Sequence, residues 1–201
     1  MKKLFISLGL LLLSISVSAQ IYTKDLAKAA KKGDAQAITD LGICYLNGSG
    51  VAVDNEKAFE CFVKVWGNPA ASFHLAQMVE KGLVPLSQIK QIKQLKTGID
   101  ELEKTFAEIA PQTMSYLYSD TSLQSLRIAY TLYFYSALVK NTEALIKMGD
   151  MCKKNKDYGV AATFYSQAKE YGSEEADQRI KQLEEETEEL RKTMDSNELL
   201  K

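Results

Sequence analysis

The stretch Gly33-Asp-Ala-Gln-Ala37-Ile-Thr-Asp-Leu41-Gly42-Ile-Cys-Tyr45-Leu-Asn-Gly48 decides the fold, because the chain says it again. The second version is Gly67-Asn-Pro-Ala-Ala71-Ser-Phe-His-Leu75-Ala76-Gln-Met-Val-Glu-Lys-Gly82, 34 residues on. Ala37 falls on Ala71, Leu41 on Leu75, Gly42 on Ala76 and Gly48 on Gly82. A third copy opens near Asn141, with Ala144, Met148 and Gly149 in phase. Self-similarity at this period marks stacked units, each burying its apolar face against its neighbours.

Each unit reads as two antiparallel helices. Asp34 can cap a helix running to about Leu46, and Asn47-Gly48-Ser49-Gly50 stops it. Asp54 can cap a second helix with Ala58, Cys61, Phe62 and Val65 on one face. Gly42 and Ala58 let the two helices approach, and Leu41, Tyr45 and Phe62 fill the flanks. Pro69 falls in the first turn of the next helix, where its missing N–H costs little.

Ile38-x-x-Leu41-Gly42-x-x-Tyr45, then Ala58-x-x-x-Phe62, then Pro69 resemble the tetratricopeptide pattern. The first unit has a longer inter-helix stretch: Gly42 to Ala58 spans 16 positions, against 12 from Gly149 to Ala161. Its Gly48-Ser49-Gly50-Val51…Asp54…Lys57-Ala58 signature resembles the SEL-one-like repeat over residues 33–82. Residues 126–177 look more like an ordinary tetratricopeptide unit. The resemblance implies an all-α, right-handed αα-hairpin solenoid. It also implies protein–protein interaction without catalysis, through a groove lined by the first helix of each unit. That nominates Thr39, Asp40, Cys44, Ser72, His74, Gln77, Lys147 and Met151 as groove-side residues. Some exported relatives with cysteine-rich repeats have been linked to cell-wall material, so a cell-wall-related enzyme is the rival reading.

The units are expected at about 33–66, 67–140 and 141–172, within a repeat domain of residues 20–177. Lys28-Ala29-Ala30 ends an N-terminal capping helix at about 22–32. Ala129, Tyr133 and Ala137 fit the second helix of the unit whose first helix is 69–81. Between them, residues 83–121 are an insertion that the repeat does not explain. There Ile89, Ile92, Leu95, Ile99, Leu102, Phe106 and Ile109 form a helical stripe. Ser87 can cap this inserted helix, Gly98 weakens its middle and Pro111 ends it. A stripe of this length does not stay in water unless it serves binding. Packing against the aromatic segment 116–135 is the favoured reading, and presentation to a partner is the other.

Residues 173–201 read as a charged C-terminal helix. Ile180, Leu183, Thr187, Leu190 and Met194 follow a 3-4 spacing over only two heptads. A cap on the last repeat is favoured over a dimer zipper, so a monomer is expected before a dimer.

The first 19 residues read as an export signal. Lys2 and Lys3 precede the apolar run Leu4 to Val17, and Val17-Ser18-Ala19 suits cleavage before Gln20. The run falls short of the roughly 20 residues that span a bilayer, so a periplasmic or secreted protein without a membrane span is expected. Of the chain's 25 basic residues, removing Lys2 and Lys3 leaves 23 against 26 acidic ones. That balance gives no reason to expect nucleic acid.

Candidate chemistry is sparse. His74 is the only histidine, so no His-pair metal site can form, and its place on the helix reads as variable and exposed. No Cys-x-x-Cys supplies ligands instead, and neither cofactor nor metal is expected. Cys44, Cys61 and Cys152 each occupy an apolar helix position. Cys44 and Cys61 lie on two helices of one hairpin, so whether they form a disulfide stays open. No Lys-Ser/Thr follows the glycine loop 48–50 and no strand precedes it, so it is not a phosphate loop. Glu184-Glu185-Glu186-Thr187-Glu188-Glu189 reads as a solvated helix face. Of the tyrosines at 116–135, core packing accounts for most, and Tyr116, Tyr118 and Tyr135 are candidates for a binding surface.

Overall fold

The computed structural model of the protein describes residues 21–91 and 93–198. The export signal expected at residues 1–19 and Ile92 of the apolar stripe lie outside the described residues. Among the described residues the regular structure is helical throughout, with no strand. The α-helices are α1 (Lys24–Lys31), α2 (Ala35–Asn47), α3 (Asn55–Lys64), α4 (Pro69–Glu80), α5 (Leu86–Gln91), α6 (Lys93–Ile109), α7 (Pro111–Tyr118), α8 (Gln124–Leu138), α9 (Thr142–Lys154), α10 (Tyr158–Glu170) and α11 (Ala176–Glu198).

Local chemistry fixes most of the helix starts. The Asp34 carboxylate accepts from the Ala37 N–H at 2.8 Å, and Asp54 accepts from the Lys57 N–H at 3.0 Å. Asn68 and Asn141 do the same for α4 and α9, each satisfying N–H groups that the helix itself cannot reach. Pro69 sits at the first position of α4. Gly48 ends α2 in the left-handed conformation, at φ 71°. The loop that follows is also a clasp: the Tyr22 N–H donates to the Ser49 carbonyl at 2.9 Å.

Three hairpins stack: α2 with α3, α4 with α8, and α9 with α10, with α1 against α2 and α11 against α10. The recurring contact is a small residue of the first helix under an aromatic ring of the second. A Cβ placed on Gly42 would come within 2.6 Å of the Phe62 ring, and Gly149 lies against Tyr165 in the same manner. Ala76 and Tyr133, both fully buried, hold the corresponding places in the middle unit. Because the rings interdigitate with each neighbour, one core runs from Ala58 to Leu183. A smaller core around Ala30, Ala37 and Ile38 lies under α1.

The insertion departs from the single capped helix expected. Its helical part begins at Leu86, one residue before Ser87, which therefore does not cap it. Pro111 follows the end of α6 and also opens a further helix, α7. A proline serves as stop for one helix and as first residue for the next. The stripe packs inward on α8: Ile89, Leu95, Ile99 and Phe106 are buried and Leu102 is partly so. The Phe106 ring stacks on Phe134 at 5.1 Å with 18° between planes. Ile109 is the exception, staying exposed at the helix end. The glycine in mid-helix has its reason too, since Gly98 lies directly against the Trp66 indole and a Cβ there would collide with it.

The C-terminal helix caps the stack. Ala176 and Leu183 are buried, and two ion pairs staple α11 to α9: Lys153 with Glu186 at 3.2 Å and Arg179 with Asp150 at 3.4 Å. Farther along, Leu190 is 42% and Met194 67% exposed. None of the three cysteines is in a disulfide, so Cys44 and Cys61 are not joined.

Candidate binding surface

Equivalent repeat positions recur on the three first helices, α2, α4 and α9. Asp40, His74 and Lys147 share one place in the repeat, and Ile43, Gln77 and Asp150 another. All six are half-buried, with part of each side chain reaching solvent. Asp40 accepts from the Gln36 amide at 2.8 Å. The Lys147 ammonium lies 3.4 Å from Glu80 and over the Tyr133 ring at 5.8 Å. Tyr133 donates its hydroxyl to Glu80 at 2.7 Å, and Tyr165 donates to Asp150 at 2.7 Å. Each phenol crosses from the second helix to an acid on the first, and burial together with that acid pushes both tyrosine pKa values upward.

Four nominated groove residues are in the core instead. Thr39, Cys44, Ser72 and Met151 are buried. Thr39 donates its hydroxyl to the Ala35 carbonyl at 2.8 Å, and Ser72 donates to the Trp66 carbonyl. The physical reason is geometric. A first helix in a stack touches its own partner and both neighbours, so the stripe left to solvent is one or two residues wide per turn.

The exposed position expected for His74 is also corrected. Its ring stacks on Phe62 at 5.4 Å and meets Phe73 edge-on at 5.7 Å. Its Nδ1 lies 3.3 Å from the Gln77 side-chain oxygen. Burial lowers its pKa, against the opposing pull of Gln77, and the Lys81 charge lowers it further. The unfolded chain therefore takes up this proton first as pH falls. This titration should leave folding stability unchanged well above about pH 6.5 and lower it below that pH. One proton contributes a slope of at most about 1.4 kcal/mol per pH unit. Chemical denaturation of wild type and His74→Gln from pH 8 to 5 checks this: the gap between the two should shrink as pH drops.

Of the tyrosine candidates, Tyr118 is the most exposed. Its hydroxyl donates to Glu103 at 2.7 Å, and the Arg127 guanidinium lies over its ring at 4.3 Å. Arg127 also pairs with Glu103 at 3.1 Å, with both side chains largely buried. Tyr116 is half-buried against the main core. Tyr135 donates to the Gly67 carbonyl at 2.9 Å, and its ring lies 5.4 Å from that of Trp66. No repeat position marks Trp66 in the sequence, yet a lone tryptophan just past a repeat helix and a glycine in mid-helix are the two halves of one contact.

The thiols are poorly suited to nucleophilic work. Burial raises the pKa of all three, that of Cys152 to about 12, and Asp40 adds to the effect at Cys44. Among the described residues no cluster of three or more His, Cys, Asp and Glu is placed to hold a metal ion. No described helix is long and apolar enough to cross a membrane.

No family model and no curated protein matches the sequence. The fold does have a counterpart. The crystal structure of a Sel1 repeat protein from Oxalobacter formigenes matches at a TM-score of 0.50 and 20% identity, over 79% of this chain and 96% of that one. The architecture is thus that of a Sel1-type αα-hairpin solenoid.

Proposed function

We propose that the protein is an exported, non-catalytic scaffold that holds a segment of a partner protein along its first helices. The observation that carries this reading is the recurrence of Asp40, His74 and Lys147 at one repeat position and of Ile43, Gln77 and Asp150 at another. At these two repeat positions the three helices offer half-buried side chains that mix charge, amide and apolar groups, which suits a peptide with its own side chains and polar backbone. The rival is a cell-wall-related enzyme, and the raised thiol pKa values leave it no activated cysteine nucleophile. Cleavage before Gln20 and residence in the periplasm or outside the cell belong to the same proposal, as does a monomeric scaffold with no affinity for nucleic acid.

A photo-crosslinking residue at Gln77 tests the surface, with the same residue at the exposed Lys181 of α11 as control. In the native host, Gln77 should give a discrete adduct with one partner, weakened by Lys147→Glu, and Lys181 should not. Equal adducts from both positions, or none from Gln77, would refute the reading. Sequencing the N-terminus of the recovered protein tests export, and an intact Met1 would oppose it. A second reading, self-association through the distal half of α11, draws on exposed Leu190 and Met194 beside Tyr158. A concentration-independent monomer mass in sedimentation would remove it.

A further inference from the structure

The recess between α3, α6 and α8 is built from elements that the first-helix surface does not use. Trp66, Gly98, Glu101, Leu102, Thr105 and Tyr135 line a depression of about 330 Å³. The two rings stand 5.4 Å apart and 49° from parallel. Both are held in place. The Trp66 indole abuts the bare backbone of Gly98, and the Tyr135 hydroxyl is tied to the Gly67 carbonyl at 2.9 Å. Glu101 is exposed and has no ion-pair or hydrogen-bond partner among the described residues, whereas Asp100 on the same helix is matched with Lys96 at 2.5 Å. A tilted aromatic pair beside an unmatched carboxylate carries negative potential from two sources, the ring faces and the acid.

The geometry points to a recess for a primary alkylammonium group, the side chain of a lysine on a partner protein. The chemistry selects that occupant over two others. An ammonium brings three N–H donors, and Glu101 and Thr105 are the acceptors at hand. A quaternary ammonium has no donor and would leave both unanswered. Leu102 gives the four-carbon stem an apolar wall, which a lysine stem uses while its charged head stays polar. A sugar would find a ring to stack on, but the lone carboxylate would have no charge opposite it. The inference rests on the scaffold reading only for its partner being a protein. The recess can be tested on the isolated chain, so its failure would leave the first-helix surface untouched.

Trp66 is the only tryptophan, which makes its fluorescence a reporter of this one place. Titrating the full chain with Nα-acetyl-lysine methylamide at constant ionic strength should change the emission saturably, with half-saturation in roughly the millimolar range expected for one cation–aromatic contact. The Nε-acetylated analogue, which lacks the charge, should bind roughly tenfold or more weakly. Glu101→Gln, an exposed substitution that leaves the rings in place, should weaken the lysine probe by roughly fivefold or more. The Trp66 indole N–H resonance should move in the same titration. The proposal is overturned by any of four results. These are no saturable change, an equal response to the uncharged analogue, unchanged affinity in Glu101→Gln, or tighter binding of tetramethylammonium or N-acetylglucosamine than of the lysine probe.

Discussion

Phe106→Ala is expected to destabilise the protein by about 3–5 kcal/mol, the range for deleting a fully buried aromatic side chain. Phe106 is completely buried and stacks on Phe134, itself in the core of α8. The substitution removes a ring–ring contact and leaves a cavity between two helices that also carry Leu95 and Ile99. Neither helix can close on the gap without lifting the rest of the stripe. The melting temperature should drop by roughly 6–20 °C for a domain of this size. Because stability in a stack is local, hydrogen exchange should quicken first in α6 and α8, next in α4 and α9, which pack on α8, and least in α1 and α2. A melting curve superimposable on that of wild type would mean that the insertion does not pack as described.

Asp157→Ala is expected to cost about 3 kcal/mol, in a place where no hydrophobic surface is lost. Asp157 is buried in the turn before α10. Its carboxylate accepts from the Thr113 N–H at 2.7 Å and from the Thr113 hydroxyl at 2.5 Å. It thus satisfies the first turn of α7, whose N-cap residue Ala110 offers no side-chain cap. Alanine would strand a buried amide and a buried hydroxyl, and a hydrogen bond to a charged acceptor is worth more than a neutral one. Urea unfolding of Asp157→Ala and of the double variant Asp157→Ala/Thr113→Val separates the contributions. The double variant should recover part of the loss, since Val removes the stranded hydroxyl. If the single variant unfolded at the wild-type midpoint, α7 would not depend on this bond.

The repeat was legible because its signals are local. Asp34, Asp54 and Pro69 act on the turn they begin, and Gly42 with Phe62 fixes a crossing by size alone. What escaped was whatever depends on a distant segment. Asp157 capping Thr113 joins residues that no periodicity relates. Pro111 reads as an end because the sequence beyond it, Gln-Thr-Met-Ser-Tyr-Leu-Tyr, has too little period to announce a helix. His74 reads as variable because its counterpart Asp40 is polar, but the ring that covers it, Phe62, comes from the preceding unit. Thr39, Ser72 and Met151 are nominated because the resemblance implies a groove lined by first helices. Membership of a first helix does not say how many neighbours close over a side chain. Trp66 and Gly98 illustrate the same limit: each is unremarkable alone, and only their contact explains both.

The pairing of α4 with α8 has a consequence for the order in which the molecule assembles. In the outer units the two helices of a hairpin follow one another through a short connection, at residues 48–54 and 155–157. In the middle unit the chain leaves at Glu80, lays down three helices, and returns at Gln124. Closing a longer loop costs more chain entropy, and distant pairings slow folding. The outer hairpins are therefore the parts that can pair early, and the central one is a joint that locks last. On the ribosome, where the N-terminal part emerges first, α1 to α3 can fold while α4 waits for a partner not yet made. The most buried region of the finished protein is also the one that spends longest with its apolar surface uncovered.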